Sequence, residues 1–143
     1  MSIATEFAAK GKISEIRDNL VVFCPNNTNY QLHLISEEGR YTGPTNEPVE
    51  VVIKGTARKM WTVVSGGNFI SPIFGPPRIV QGRVRYADEK MLVIQAGAPV
   101  TLELPLSDMA IDLTNGPITV GSLVNAVVLP GATFHLAEKS VAR

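Results

Sequence analysis

The chain has 143 residues, 45% of them apolar, and its 13 basic and 13 acidic side chains balance to a formal net charge of zero. That is enough apolar material for one ordinary domain or two very small ones, and the neutral balance argues against a protein that coats polyanions generally. A single cysteine, Cys24, excludes an intramolecular disulfide, and with only two histidines beside it the chain lacks the four Cys/His ligands of a structural zinc site.

The N-terminal stretch Met1–Lys10 has no apolar core of signal-peptide length, and no apolar run anywhere approaches the length that spans a bilayer, so the expectation is a soluble cytoplasmic protein with no membrane partner. A β-rich pattern then begins at Gly11-Lys12-Ile13. A polar turn, Arg17-Asp18-Asn19, leads into the apolar run Leu20-Val21-Val22-Phe23. Cys24, at the end of that run, reads as a small packed residue. The turn Pro25–Asn29 follows, where asparagine tolerates positive φ. Tyr30-Gln31-Leu32-His33-Leu34 has apolar residues at every second position, the period of a half-buried strand. Ile35–Pro48 is polar and turn-rich and reads as a surface loop. Val49–Lys54, a turn, and Met60–Val63 read as a two-strand unit.

The bridge from Val64 to Val80 carries two adjacent glycines and three prolines, yet Phe69, Ile70, Ile73, Phe74 and Ile79 are spaced through it. Such residues are costly to leave in water, so the bridge is expected to be an ordered connector that packs across its neighbours. Gly66-Gly67 lacks the Lys-Ser/Thr of a phosphate loop.

After the bridge the first pattern returns. Gly82-Arg83-Val84 matches Gly11-Lys12-Ile13, the turn Asp88-Glu89-Lys90 matches Arg17-Asp18-Asn19, and Met91-Leu92-Val93-Ile94 matches Leu20–Phe23. The turn Ala96–Pro99 and Val100-Thr101-Leu102-Glu103-Leu104 match Pro25–Asn29 and Tyr30–Leu34. Pro105–Pro117 has room for one helical turn, with Ser107 as its N-cap. A final two-strand unit, Leu123–Leu129 and Ala132–Leu136, matches Val49–Val63, with Trp61 and Phe134 at equivalent inward positions.

The expected fold is therefore all-β: two tandem five-stranded OB- or SH3-like barrels related by an internal repeat. Residues 1–9 form an N-terminal extension, 10–64 the first barrel, 65–80 the Gly/Pro-rich connector, 81–138 the second barrel and 139–143 a tail. Barrels of this size are marginal alone, so the copies should pack on each other or on a second chain. An interleaving of strands from both copies into one larger barrel is the alternative arrangement.

The search for chemistry is mostly negative. His33 and His135 fall on outward strand positions, Glu37-Glu38 and Asp88-Glu89 lie in turns, and no nucleophile–base pair or Gly-x-Ser-x-Gly elbow is present, which points away from an enzyme and from any cofactor or metal. The positive signal is electrostatic. From Lys54 to Lys90 there are seven basic residues and two acidic ones, whereas Met91–Glu138 contains four acidic residues and no basic one. Lys54, Arg58, Lys59, Arg78, Arg83, Arg85 and Tyr86 are the candidate contacts for an anion or a nucleic acid, since small barrels bind single strands by cationic grooves and stacked aromatics. Trp61 is assigned to the core and Tyr86 to the surface. The same charge polarity suits head-to-tail self-association. The sequence thus favours a non-catalytic structural or protein-interaction module whose partner is itself or another protein, joining through exposed strand edges, with single-stranded nucleic-acid binding through residues 54–90 as the alternative.

Overall fold

The computed structural model describes residues 7–37 and 39–137. The expected tail 139–143, most of the N-terminal extension 1–9, and Glu38 lie outside the described residues. The fold is all-β. In chain order the strands are β1 (Ala9–Arg17), β2 (Leu20–Pro25), β3 (Gln31–Ser36), β4 (Pro48–Thr62), β5 (Phe69–Ser71), β6 (Phe74–Gly75), β7 (Ile79–Ala87), β8 (Met91–Gln95), β9 (Pro99–Glu103), β10 (Ile111–Asp112), β11 (Leu123–Val128) and β12 (Thr133–Leu136). A 3-10 turn at Asp108–Ala110 precedes β10. As expected, Ser107 caps it, its Oγ accepting from the Met109 N–H at 3.2 Å.

The strands pair in the order β1-β2-β3-β12-β4-β11-β7-β8-β9, and the additional pairings β1–β4 and β4–β9 close this path on itself twice. Five strands (β1, β2, β3, β12 and the first half of β4) form one closed circuit, and five (the second half of β4, β11, β7, β8 and β9) form the other. β4 belongs to both. At the crossing point Gly55 leaves room for the neighbouring strand, because a Cβ there would lie 2.9 Å from Val128 Cγ1.

The two circuits have the same register. Ile13 pairs with Phe23 and Val84 with Ile94; one residue is then extruded as a bulge, Ser14 in β1 and Arg85 in β7, before pairing resumes at Glu15–Val22 and Tyr86–Val93. Gly11 and Gly82 are each pressed against the opposite strand, where a Cβ would overlap the carbonyl oxygen of Cys24 or of Gln95. The third strands correspond with an offset of two residues from the sequence alignment: Leu32 and Leu34 face Phe23 and Val21, as Val100 and Leu102 face Ile94 and Leu92. A two-residue slip preserves the strand period, which is why alternation alone does not reveal it.

Two expectations need correction. The segment from Val49 to Val63 contains no turn; β4 is one continuous strand of 15 residues. Likewise β11 and β12 do not pair with each other. β11 pairs with β4 and β7, whereas β12 lies antiparallel to the first half of β4 and parallel to β3. Each circuit is thus completed by a strand from the other half of the sequence.

The apolar core runs through both circuits, from Ile13, Phe23, Leu32, Leu34 and Phe134 to Val84, Ile94, Leu102, Val124 and Ala126. The connector is ordered as expected. Its β5 pairs with β7 and its β6 with β3, so it is hydrogen-bonded to both circuits. Tyr30 reinforces this junction: its hydroxyl accepts from the Ile70 N–H at 3.0 Å, and its ring lies where a side chain at Gly97 would stand. Ile70 is buried, but Ile73 and Phe74 remain exposed.

Candidate functional site

The bulge in β4 determines where its charged and aromatic side chains point. β11 pairs Val128 with Ala57 and Val127 with Lys59, leaving Arg58 as the extra residue. Arg58 and Lys59 are therefore both exposed, and the alternation beyond them is inverted. Met60 turns into the core, and Trp61 turns outward, half-buried, with Lys59 Nζ 5.7 Å from its ring centroid. This corrects the expected equivalence of Trp61 and Phe134: Phe134 is buried in the first circuit, and Trp61 lies on the outer surface of the second.

Register places Trp61, Asn125, Gln81 and Phe69 in one row across β4, β11, β7 and β5. Beneath the connector, the buried Asn125 Nδ2 donates to Gln81 Oε1 at 2.8 Å, and Gln81 Nε2 donates to the Gly67 carbonyl at 2.9 Å. Arg78 lies on the far side of β11, its carbonyl accepting from the Val128 N–H. That puts its backbone about 10 Å from Ala57, two strand spacings across the sheet.

The other candidate contacts are engaged elsewhere. Arg83 donates to the Gly121 carbonyl at 3.1 Å. Arg85, the bulge residue, donates to Gln95 Oε1 and covers the Phe7 ring. Tyr86 donates to Asp88 at 2.8 Å, a bond that raises the tyrosine pKa. The Asp88 carboxyl is held below its usual range, by the Lys90 N–H first and the Tyr86 hydroxyl next. Lys54 lies at the seam between the circuits, 3.7 Å from Glu37. The seven residues therefore do not make one surface. Of the three remaining cations only Lys59 is placed against Trp61, and neither Arg58 nor Arg78 meets a carboxylate within ion-pair distance among the described residues.

The seam itself is a cleft of about 340 Å³, lined by Lys54, Gly55, Thr56, Glu103, Thr133 and the turn Leu129–Gly131. Glu37, in a turn as expected, spans its rim. Its Oε1 lies 3.0 Å from His135 Nδ1, and the Glu37 N–H donates to the Phe134 carbonyl at 3.2 Å, so this residue ties β12 down. Burial pushes the Glu37 carboxyl upward, but the His135 hydrogen bond and the Lys54 charge outweigh it and bring the pKa below its ordinary 4.5. His33, expected on the surface, is half-buried with its ring 4.6 Å from Phe74, and its Nε2 has no hydrogen-bond partner among the described residues. Cys24 is a free, half-buried thiol, with Sγ 3.6 Å from Ser14 Oγ. Among the described residues no three His, Cys, Asp or Glu side chains converge as metal ligands, and no helix is long and apolar enough to cross a membrane.

Exposed apolar side chains are the feature that the sequence reading missed. Leu106 and Met109 stand essentially free of protein contact before β10, and Val64, Val120 and Leu113 are also exposed. The last three flank one end of β4: Val64 follows Thr62 by two residues, Leu113 precedes the Asn115-Gly116 turn that bonds Thr62, and Val120 precedes Gly121, whose N–H bonds Val84. The available signal was the presence of leucine and methionine inside the polar, proline-bounded segment 105–117.

No protein-family model, curated protein or solved structure matches this chain.

Proposed function

We propose that this chain is a non-catalytic structural or protein-interaction module of the cytoplasm that associates with copies of itself, built as two five-stranded OB-type barrels in tandem. The barrel reading is supported by the two closed circuits, their shared bulge and register, and the parallel pairing that joins the third strand to the closing strand in each (β3–β12 and β9–β4). The functional reading is carried by one observation: Leu106, Met109, Val64, Val120 and Leu113 are exposed apolar side chains, the last three flanking one end of β4. Every strand of the two circuits has partners on both sides, so the expected docking through strand edges lacks support, and side-chain contact takes its place.

Single-stranded nucleic-acid binding is the second reading, favoured by Trp61 pointing outward with Lys59 against its ring and the exposed Arg58 on the same strand. An exposed ring flanked by cations is a stacking platform for bases. Light scattering on the size-separated protein, at low and high salt and with or without a mixed-sequence single-stranded oligonucleotide, separates the two. Multimers indifferent to both salt and oligonucleotide are expected for the module. A monomer that gains mass only with the oligonucleotide, and loses it at high salt, reverses the ranking.

A further inference from the structure

We infer that the last strand, β12, is exchanged between chains, so that two copies of this protein join by each lending Thr133–Leu136 to the other's first circuit. The inference rests on the self-association reading and names its partner, a second copy; it adds a strand exchange to the side-chain contacts of Leu106 and Met109.

The register provides the argument. β11 and β12 run one after the other along β4 in the opposite direction: Val124–Val128 pair with Thr62–Ala57, and Thr133–Leu136 with Lys54–Val51. Superposing the circuits makes the first half of β4 the counterpart of β11, since Val49 and Val51 face Gly11 and Ala9 as Val124 and Ala126 face Gly82 and Val80. The second half of β4 is then the counterpart of β12. The two halves of the chain have already traded their closing strands, with approximate two-fold symmetry about Gly55 and the Leu129–Ala132 segment. A slot filled by a strand from elsewhere in the sequence accepts the same strand from another copy with unchanged contacts.

Two further features single out β12 as the strand that moves. It pairs with β3 over two residues and with β4 over four but joins β11 through a link, whereas the second half of β4 is continuous with its own first half and has no hinge. β12 hangs from the four-residue link Leu129–Ala132, which contains Pro130 and a Gly131 at φ +96°, a conformation that only glycine adopts without strain. Phe134 sets the other requirement. Buried against Ile53 and Tyr41, it cannot leave its slot for water, and the one matching slot is in another copy.

The test uses full-length chains carrying Cys24→Ser, one with Lys54→Cys and the other with Thr133→Cys, these being directly paired positions in β4 and β12. The two are mixed in denaturant, refolded together at high concentration, oxidised and separated on a non-reducing gel. Exchange predicts a disulfide-linked species of twice the chain mass, containing one chain of each kind and growing with protein concentration. A chain carrying both cysteines, oxidised when dilute, must close its own disulfide, which certifies the geometry. Multimers seen by light scattering without the mixed disulfide would overturn the exchange and leave self-association standing. A monomer at every concentration would overturn both.

Discussion

Phe134→Ala tests the unexpected placement of β12 most sharply. Phe134 is 1% exposed and stacks edge-on against Tyr41 at 6.0 Å between ring centroids, opposite Ile53 of β4. Truncating a buried phenylalanine costs about 3–5 kcal/mol. Against the ~5–15 kcal/mol that holds most domains folded, this is a large fraction of the total, and it lowers the melting temperature by on the order of 10–20 °C. The loss alone does not locate the strand; a double-mutant cycle does. Phe134→Ala combined with Tyr41→Ala should show a coupling of about 0.5–1.5 kcal/mol, the value of an aromatic pair beyond its buried area. Phe134→Ala combined with Ile94→Val, in the other circuit, should be additive within about 0.5 kcal/mol. Urea denaturation of the five variants (three single and two double) and the wild type supplies all the numbers. Additivity with Tyr41→Ala together with coupling to Ile94→Val would refute the placement of β12 in the first circuit.

Other consequences follow from single residues. Gly11→Ala and Gly82→Ala should each destabilise by about 1–3 kcal/mol, because the added methyl overpacks against the Cys24 or Gln95 carbonyl; unequal effects in chemical denaturation, with one near zero, would contradict the shared register. Glu37, Asp88 and Asp112 all have depressed carboxyl pKa values, so each contributes stability that is present above its ordinary pKa and lost as pH falls through its folded one. Thermal melts should therefore drop as pH falls below about 4.5, and by less in Glu37→Gln; a Glu37→Gln profile identical to wild type would contradict the Glu37 assignment. If the second reading of function is correct, Trp61→Ala should weaken oligonucleotide binding by about 1–3 kcal/mol in a fluorescence titration, whereas Tyr86→Phe should leave it unchanged.

The elements were legible in the sequence where local rules apply. Alternation in Gln31–Leu34 and Val100–Glu103, asparagine at positive φ in the Asn27 turn, and the Ser107 cap all follow from short-range chemistry. What the sequence hid depends on long-range pairing. Lys54-Gly55-Thr56 has the look of a turn, but this glycine serves a close approach of Val128, so β4 runs straight through it into the other circuit. Trp61 was assigned inward by its alignment with Phe134, and the bulge at Arg58 turns it outward. The basic stretch was read as one surface because its members are near in sequence. Their partners, Glu37, Gly121, Gln95 and Asp88, come from four separate segments and disperse them over the molecule.

The central claim is that the exposed apolar side chains serve self-association. Sedimentation equilibrium of the wild-type chain and of a Leu106→Asp/Met109→Asp variant, over a wide range of concentration and at two ionic strengths, tests it directly. The account predicts a wild type whose mass rises above that of one 15.4 kDa chain with little response to salt, and a variant that remains folded but shifts toward lower mass. A wild type that stays at one chain mass throughout, or a variant that assembles as well as wild type, would contradict it.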